Sequence, residues 1–344
     1  MRFDDGLYVL GVEAEYGTLV PAAEAVADGR YDPEWAARTG YVSASVADRA
    51  APELALAAAR RALKASGLDG PEQVRDRVRL HLHACVYHQG VDLWPSSCYV
   101  LDRVGGGGSA LTCQVGAMSN SAMAAFELAG RFLDGRGRAS DAVLVTSGDR
   151  FCEPGYRRWA SERNTIFGDA GTAVVLGRSP GIAKVLACAS HSDPGLEGMI
   201  RGDAPFTPAS TLLTEPAALG ERMRQFAARS GGTEAVVRRK TGGTVAAVEQ
   251  VLRFAGVSME DVRWVLTPFF GRPHVRDNFL TPLGIAAGRT MTEFGLTVGH
   301  LGSSDPVAGL AHLVAEGLGT AGDLVLMLGM GGGYTWTPAL LRLL

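Results

Sequence analysis

Short apolar runs that read as buried strands alternate with helix-patterned segments in both halves of this chain, which restricts it to an α/β architecture. In the first half a strand over 7–14 precedes a helix across PELALAAARRALKASG (52–67). A strand at 78–87, a short helix after Trp94-Pro95 and a strand ending at Cys113 follow. A long helix over 115–134 and the strand AVLVTSGD (142–149) complete that half. The second half repeats the rhythm with a helix over 232–255, a strand at 264–269 and a helix over 305–318. Two closing strands flank the glycines of DLVLMLGMGGGYTWTPALLRL. The span 190–230, broken by Pro194, Pro205, Pro208 and Pro216, reads as a connecting or lid-like segment.

At 344 residues the chain is long enough for two core-forming units or one duplicated unit. A formal net charge of -3 and scattered Lys and Arg argue against nucleic acid or an anionic membrane as the main partner. Five cysteines, an odd number without a CxxC pair, fit reduced thiols better than a disulfide or zinc framework. The N-terminus has no signal-peptide pattern and no apolar stretch reaches spanning length, so a soluble cytoplasmic protein without a metal is expected.

In GSALTCQVGAMSNSAMAAFELAG (108–130), Cys113 stands where the strand is expected to hand over to a helix. A thiol there is either a small buried packing residue or a nucleophile whose thiolate is favoured by the helix N-terminus. His300 in VGHLGSSDP is a satisfied loop histidine or the general base such a nucleophile needs. Asp305, five residues on, precedes Pro306 as an N-cap does, and it can also orient the imidazole. Glycines 331–333 form a plain hairpin turn or bring a backbone N–H to an oxyanion. Gly168-Asp169 reads as structural, and His81 and His83 alternate along a strand without metal spacing.

Seven stretches in one order, DPEWAARTG (32–40), LWPSSC (93–98), the Cys113 segment, NTIFGDAGTAVVLG (164–177), VRWVLTPFFG, VGHLGSSDPVAG and LMLGMGGGYTWTPALLRL, resemble β-ketoacyl-acyl carrier protein synthase III. That family belongs to the thiolase-like condensing enzymes. The resemblance implies two pseudo-duplicated βαβαβ halves, 1–178 and 179–344, in an α-β-α-β-α layered arrangement. It further implies a homodimer and a pantetheine tunnel ending at Cys113 as the acylated nucleophile. The N–H groups of Cys113 and Gly332 would form the oxyanion hole. Trp35 and an arginine, Arg157 or Arg158, would lie at the tunnel mouth.

Two departures redirect the expected chemistry. Condensing members carry His in a PHQAN-like segment and Asn in a GNTSAAS-like segment, where they promote decarboxylation of a malonyl extender. Here Phe269 stands at the histidine position and His300 at the asparagine position. A Phe ring cannot donate a hydrogen bond to a developing enolate. The combination resembles synthase III-like acyltransferases of antibiotic biosynthesis, which use a Cys (or Ser)–His–Asp arrangement with this His-x4-Asp spacing. A ping-pong acyltransferase without a resident cofactor is therefore expected. It would take a short-chain or aromatic polyketide acyl group, such as malonyl or methylsalicylyl, from an acyl carrier protein or coenzyme A. The acceptor would be a hydroxyl or amine of a sugar, aminocyclitol or other natural-product scaffold. Phe269, Phe270 and Trp94 are core residues or the lining of the acyl pocket. The alternatives are condensation with His300 or His274 in the missing role, and a non-catalytic partner of a ketosynthase.

Overall fold

Aliphatic and β-branched runs bounded by glycine and polar turns form twelve strands in the computed structural model, which describes residues 1–134, 138–210 and 214–344. They are β1 (Arg2–Tyr16), β2 (Thr18–Pro21), β3 (Ser43–Val46), β4 (Val78–Ala84), β5 (Leu111–Val115) and β6 (Ala142–Asp149), then β7 (Ala170–Gly177), β8 (Ala183–Cys188), β9 (His191–Ser192), β10 (Val262–Leu266), β11 (Leu324–Gly331) and β12 (Thr335–Leu343). Ten strands make one sheet in the order β10-β11-β12-β8-β1-β7-β6-β4-β5, with β9 paired to β12. β4 runs parallel to β5 and β6, and β10 parallel to β11, as crossover helices require. Antiparallel pairing of β1 with both β7 and β8 joins the two halves of the sheet.

Helices cover both faces and fill the space between the halves. Helix Ala51–Ala65 starts with Glu53 accepting from the Ala50 N–H (2.8 Å) and buries Ala55, Ala58, Ala59 and Ala62 against β1, β6 and β7. Its close approach depends on Gly171, where a Cβ would lie 2.1 Å from the Leu54 carbonyl carbon. Helix Ser121–Leu133 touches β4 and β6 on one side and β11 and β12 on the other. Helix Asp305–Ala315 likewise packs between β1 and β7 and the pair β10 and β11, while Thr233–Ala255 lies outside on β8 and β12. The result is the expected helix–strand–helix–strand–helix layering. Among the described residues no helix is long and apolar enough to cross a membrane, and no group of His, Cys, Asp and Glu is arranged to hold a metal.

One boundary differs consequentially from expectation. β5 continues to Val115 and the helix starts only at Ser121, so Cys113 lies in mid-strand opposite Leu82 of β4. Around residues 190–230 the chain forms short helices, Gly198–Arg201 and Leu219–Arg229, that lie over the glycine turn after β11.

The histidines of β4 give the fold a pH dependence. His81 bonds Thr112 and Thr146 (both 2.9 Å), and His83 bonds Thr146 (2.8 Å) and Gln89 (3.0 Å). Burial lowers His81 to about 3 and His83 to about 4. Below the ordinary histidine value the unfolded chain takes up protons that the folded chain refuses, so stability falls as pH drops. At pH 5 each histidine is expected to cost about 2 kcal/mol relative to pH 7. Asp149 and Glu162, raised by burial to about 6 and about 7, work in the opposite direction, while His274, held by burial well below the ordinary histidine value, adds to the loss at low pH. A lower unfolding temperature at pH 5 than at pH 7, with the difference reduced in His83→Gln, is the expected calorimetric result.

Candidate active site

Small residues after β5 allow a tight turn, Gly116-Ala117-Met118-Ser119-Asn120, into helix Ser121–Leu133. Ser121 fixes it by accepting from the Ala117 N–H (2.7 Å) and donating its hydroxyl to the Met118 carbonyl (2.6 Å). Met118 has φ +51°, a left-handed conformation that costs a non-glycine residue roughly 1–2 kcal/mol and that clusters at functional sites. The turn presents Ser119, half-buried, at the helix N-terminus. The bare backbone of β11 runs against it: a Cβ on Gly331 would lie 2.1 Å from the Ala117 oxygen and 2.8 Å from the Asn120 nitrogen.

His300 arrives from the other half. Gly299 at φ +82° lets the chain bend closely over Gly168, and His300 then pairs its main chain with Ile166 and Gly168 (both 2.8 Å). Asp305, first residue of its helix, engages His300 Nδ1 through Oδ2. Oδ2 also accepts from the Phe269 N–H (2.8 Å), and Oδ1 from the Leu301 N–H (2.7 Å). A group surrounded by donors is an ionised carboxylate, so His300 carries its proton on Nδ1 and donates it to Asp305. Nε2 is then the free base, and the Ser119 hydroxyl donates to it at 2.9 Å. Both His300 and Asp305 are 1% exposed, with the rings of Phe167 (4.7 Å) and Phe270 (4.8 Å) flanking the imidazole. Asp149 braces the same loop by accepting from the N–H groups of Val86 and Tyr87 and from Ser303 N–H and Oγ–H.

Several sequence expectations are met only in part. His300 and Asp305 come together, but Asp305 spends its second oxygen on Leu301 and does not cap its helix. The hydroxyl brought to His300 is that of Ser119. Cys113, six residues earlier in β5, packs against the core instead. Arg158 is half-buried and engaged inward: its Nη2 donates to both Asp169 oxygens (2.8 and 2.9 Å) and to the Phe151 carbonyl (2.8 Å). Asp169 itself also accepts from the Ala47 and Phe151 N–H groups, the structural role expected of it. The arginine that lies over Trp35 is Arg163, 5.2 Å from the ring. Phe269 is core, 1% exposed and edge-on to Phe294, and it serves the site only through its backbone. Phe270 stands between His300 and His274, stacked on the latter at 4.4 Å, so His274 makes no bond to His300 and faces Lys240. Trp94 packs on Tyr99 (5.5 Å), outside these contacts. Gly332 follows Gly331 and forms, with Gly333, the floor of a groove of about 720 Å³ roofed by Ile200, Arg201, Phe206 and Arg222.

The layered sheet, with the Ser119 hydroxyl and a buried His–Asp pair brought together between its halves, is the fold of thiolase-like, acyl-transferring enzymes. The profile of the 3-oxoacyl-[acyl-carrier-protein] synthase III C terminal matches residues 252–343. The solved structure of ChlB3, an acyltransferase, superposes with a TM-score of 0.91 at 33% identity over 98% of both chains. The β-ketoacyl-[acyl-carrier-protein] synthase III of Sphingopyxis alaskensis is 28% identical over 317 residues, 90% of each chain. The 3-oxoacyl-(acyl carrier protein) synthase III from Xanthomonas oryzae shares the fold at a TM-score of 0.76 and 19% identity, over 99% of this chain and 100% of its own. The chain belongs to the ketoacyl-acyl carrier protein synthase III-like family of the thiolase-like superfamily.

Proposed function

We propose that this protein transfers an acyl group from an acyl carrier protein or coenzyme A thioester to a hydroxyl or amine of a small natural-product acceptor, through an ester on Ser119. The observation that carries the reading is the Ser119–His300–Asp305 relay, in a chain with Phe269 where condensation requires a hydrogen-bonding histidine. The Ser119 Oγ proton passes to His300 Nε2 as Oγ attacks the thioester carbonyl. The N–H groups of Ser119 and Gly332 receive the oxyanion, and collapse expels the thiolate, which takes the proton from Nε2. In the second half the acceptor O–H or N–H gives its proton to Nε2 and attacks the Ser119 ester. Oγ leaves with that proton. Asp305 stabilises the imidazolium in both halves.

Trp35 and Arg163 would receive the donor at the tunnel mouth, in place of the Arg158 expected from sequence. The homodimer belongs to the same proposal: β5 ends the sheet with one edge unpaired and Leu111 exposed, so a second copy can extend it.

Product chemistry separates transfer from condensation. With a carboxyl-labelled malonyl thioester and an alcohol acceptor, the expected products are free thiol and a malonyl ester that keeps the label. Release of labelled carbon dioxide together with a new carbon–carbon bond would overturn the proposal.

A further inference from the structure

Oxyanion binding needs two N–H groups aimed at one point, and here they come from separate pieces of chain. Ser119 belongs to the turn between β5 and its helix, and Gly332 to the hairpin between β11 and β12. Whatever fixes one piece against the other therefore bears on the chemistry. The hairpin pairs Gly329 with Thr337 and Gly331 with Thr335, and Asn120 lies directly over its two bare glycines. A Cβ on Gly329 would collide with Asn120 Oδ1, and one on Gly331 would lie 2.8 Å from Asn120 Cβ. Across this contact Asn120 Nδ2 donates to Thr337 Oγ1 at 2.8 Å, both residues being 0% exposed. Thr337 in turn donates to Ser190 Oγ at 2.7 Å, and Ser190 donates to the buried Glu127 carboxylate. The donors all point one way and end on a charge, an arrangement in which each bond strengthens the next.

Asn120 stands there against a stability cost. Its Oδ1 is among the buried side-chain atoms that find no partner, a penalty that an apolar residue at 120 would avoid. Capping does not account for the amide, because the Asn120 side chain makes no cap bond to helix Ser121–Leu133. We propose that Asn120, through Thr337, is a positioning residue that sets the separation of the Ser119 and Gly332 N–H groups, and with it the fit of the site to the oxyanion. This rests on the Ser119 ester reading above. Neither side chain exchanges atoms with the substrate. The pair locks the turn of the nucleophile to the glycine hairpin in the register that the tetrahedral intermediate needs.

The test follows loading of wild type, Thr337→Val and Thr337→Ser with a short-chain S-acyl pantetheine and with its dithioester, in which sulfur, a poor hydrogen-bond acceptor, replaces the carbonyl oxygen. Thr337→Val keeps the β-branched shape of the strand residue and removes the hydroxyl. It is expected to load the oxygen thioester at least about tenfold more slowly, a part of the ~10²–10³-fold lost with a whole oxyanion donor. Donor KM should stay within about twofold of wild type, since the loss is confined to the transition state. The dithioester should slow by less than about threefold, because its sulfur gains little from the two N–H groups. Thr337→Ser, which keeps the hydroxyl, should recover most of the oxygen rate. Should Thr337→Val fail to fold, Asn120→Leu should show the same selective loss. Wild-type loading in Thr337→Val overturns the proposal, and so does equal slowing with both substrates, the mark of a merely loosened turn. A wild type that never forms an acyl adduct refutes the Ser119 ester itself.

Discussion

Ser119→Ala is expected to abolish acyl loading and to lower thiol release from an acyl thioester by ~10⁵-fold, to the background left by binding and the oxyanion site alone. Alanine keeps the small side chain the turn requires but removes the one hydroxyl that the described residues place at His300 Nε2, 2.9 Å away. Folding should be unaffected, because the turn is held by Ser121 and Asn120 rather than by Ser119. Cys113→Ala provides the contrast. Its thiol sits in mid-strand against the core, so loading within about twofold of wild type is expected, with at most the modest stability change of a core truncation. Rates of thiol release from an acyl thioester, measured on both variants, check the pair. Loss of loading in Cys113→Ala with retention in Ser119→Ala would reverse the assignment.

Asp305→Asn is expected to lower turnover by ~10⁴-fold with little change in donor binding. The Asn amide can donate to Nδ1 where the carboxylate accepts from it. That moves the imidazole proton to Nε2, which can then no longer receive the Ser119 proton. The amide oxygen, left at the Oδ1 position, can still accept from the Leu301 N–H while the Phe269 N–H loses its acceptor, so the folded state should survive with reduced stability. Single-turnover loading and thermal unfolding on the same preparation separate the two effects. A rate within tenfold of wild type would mean that Asp305 only braces the loop.

The layered fold was legible because period-2 and period-3.6 patterns alternate cleanly, and because the closing helices and strands carry strong aliphatic signals. The His300–Asp305 pair was legible from its spacing and from the residues at 269 and 300. Ser119 was not, because the apolar run ends at Cys113, intrinsically the better nucleophile. The competing signal lay in Gly116, Ala117 and Ser119, small residues that allow the strand to run on two positions and then turn tightly. Arg158 and Arg163 stand five residues apart in one irregular segment, and only the contacts of Asp169 show which of them turns inward. Phe269 was legible as an apolar side chain at the position of a hydrogen-bonding histidine, yet its backbone N–H on Asp305 could be seen only in three dimensions.

The most direct measurement is fragmentation mass spectrometry of enzyme quenched during reaction with an acyl thioester, reading the peptide that contains both residues. The acyl mass is expected on Ser119, as an ester that resists mild neutral hydroxylamine. An acyl mass on Cys113, released rapidly by that reagent, or no adduct in a preparation that still turns over, would contradict the account.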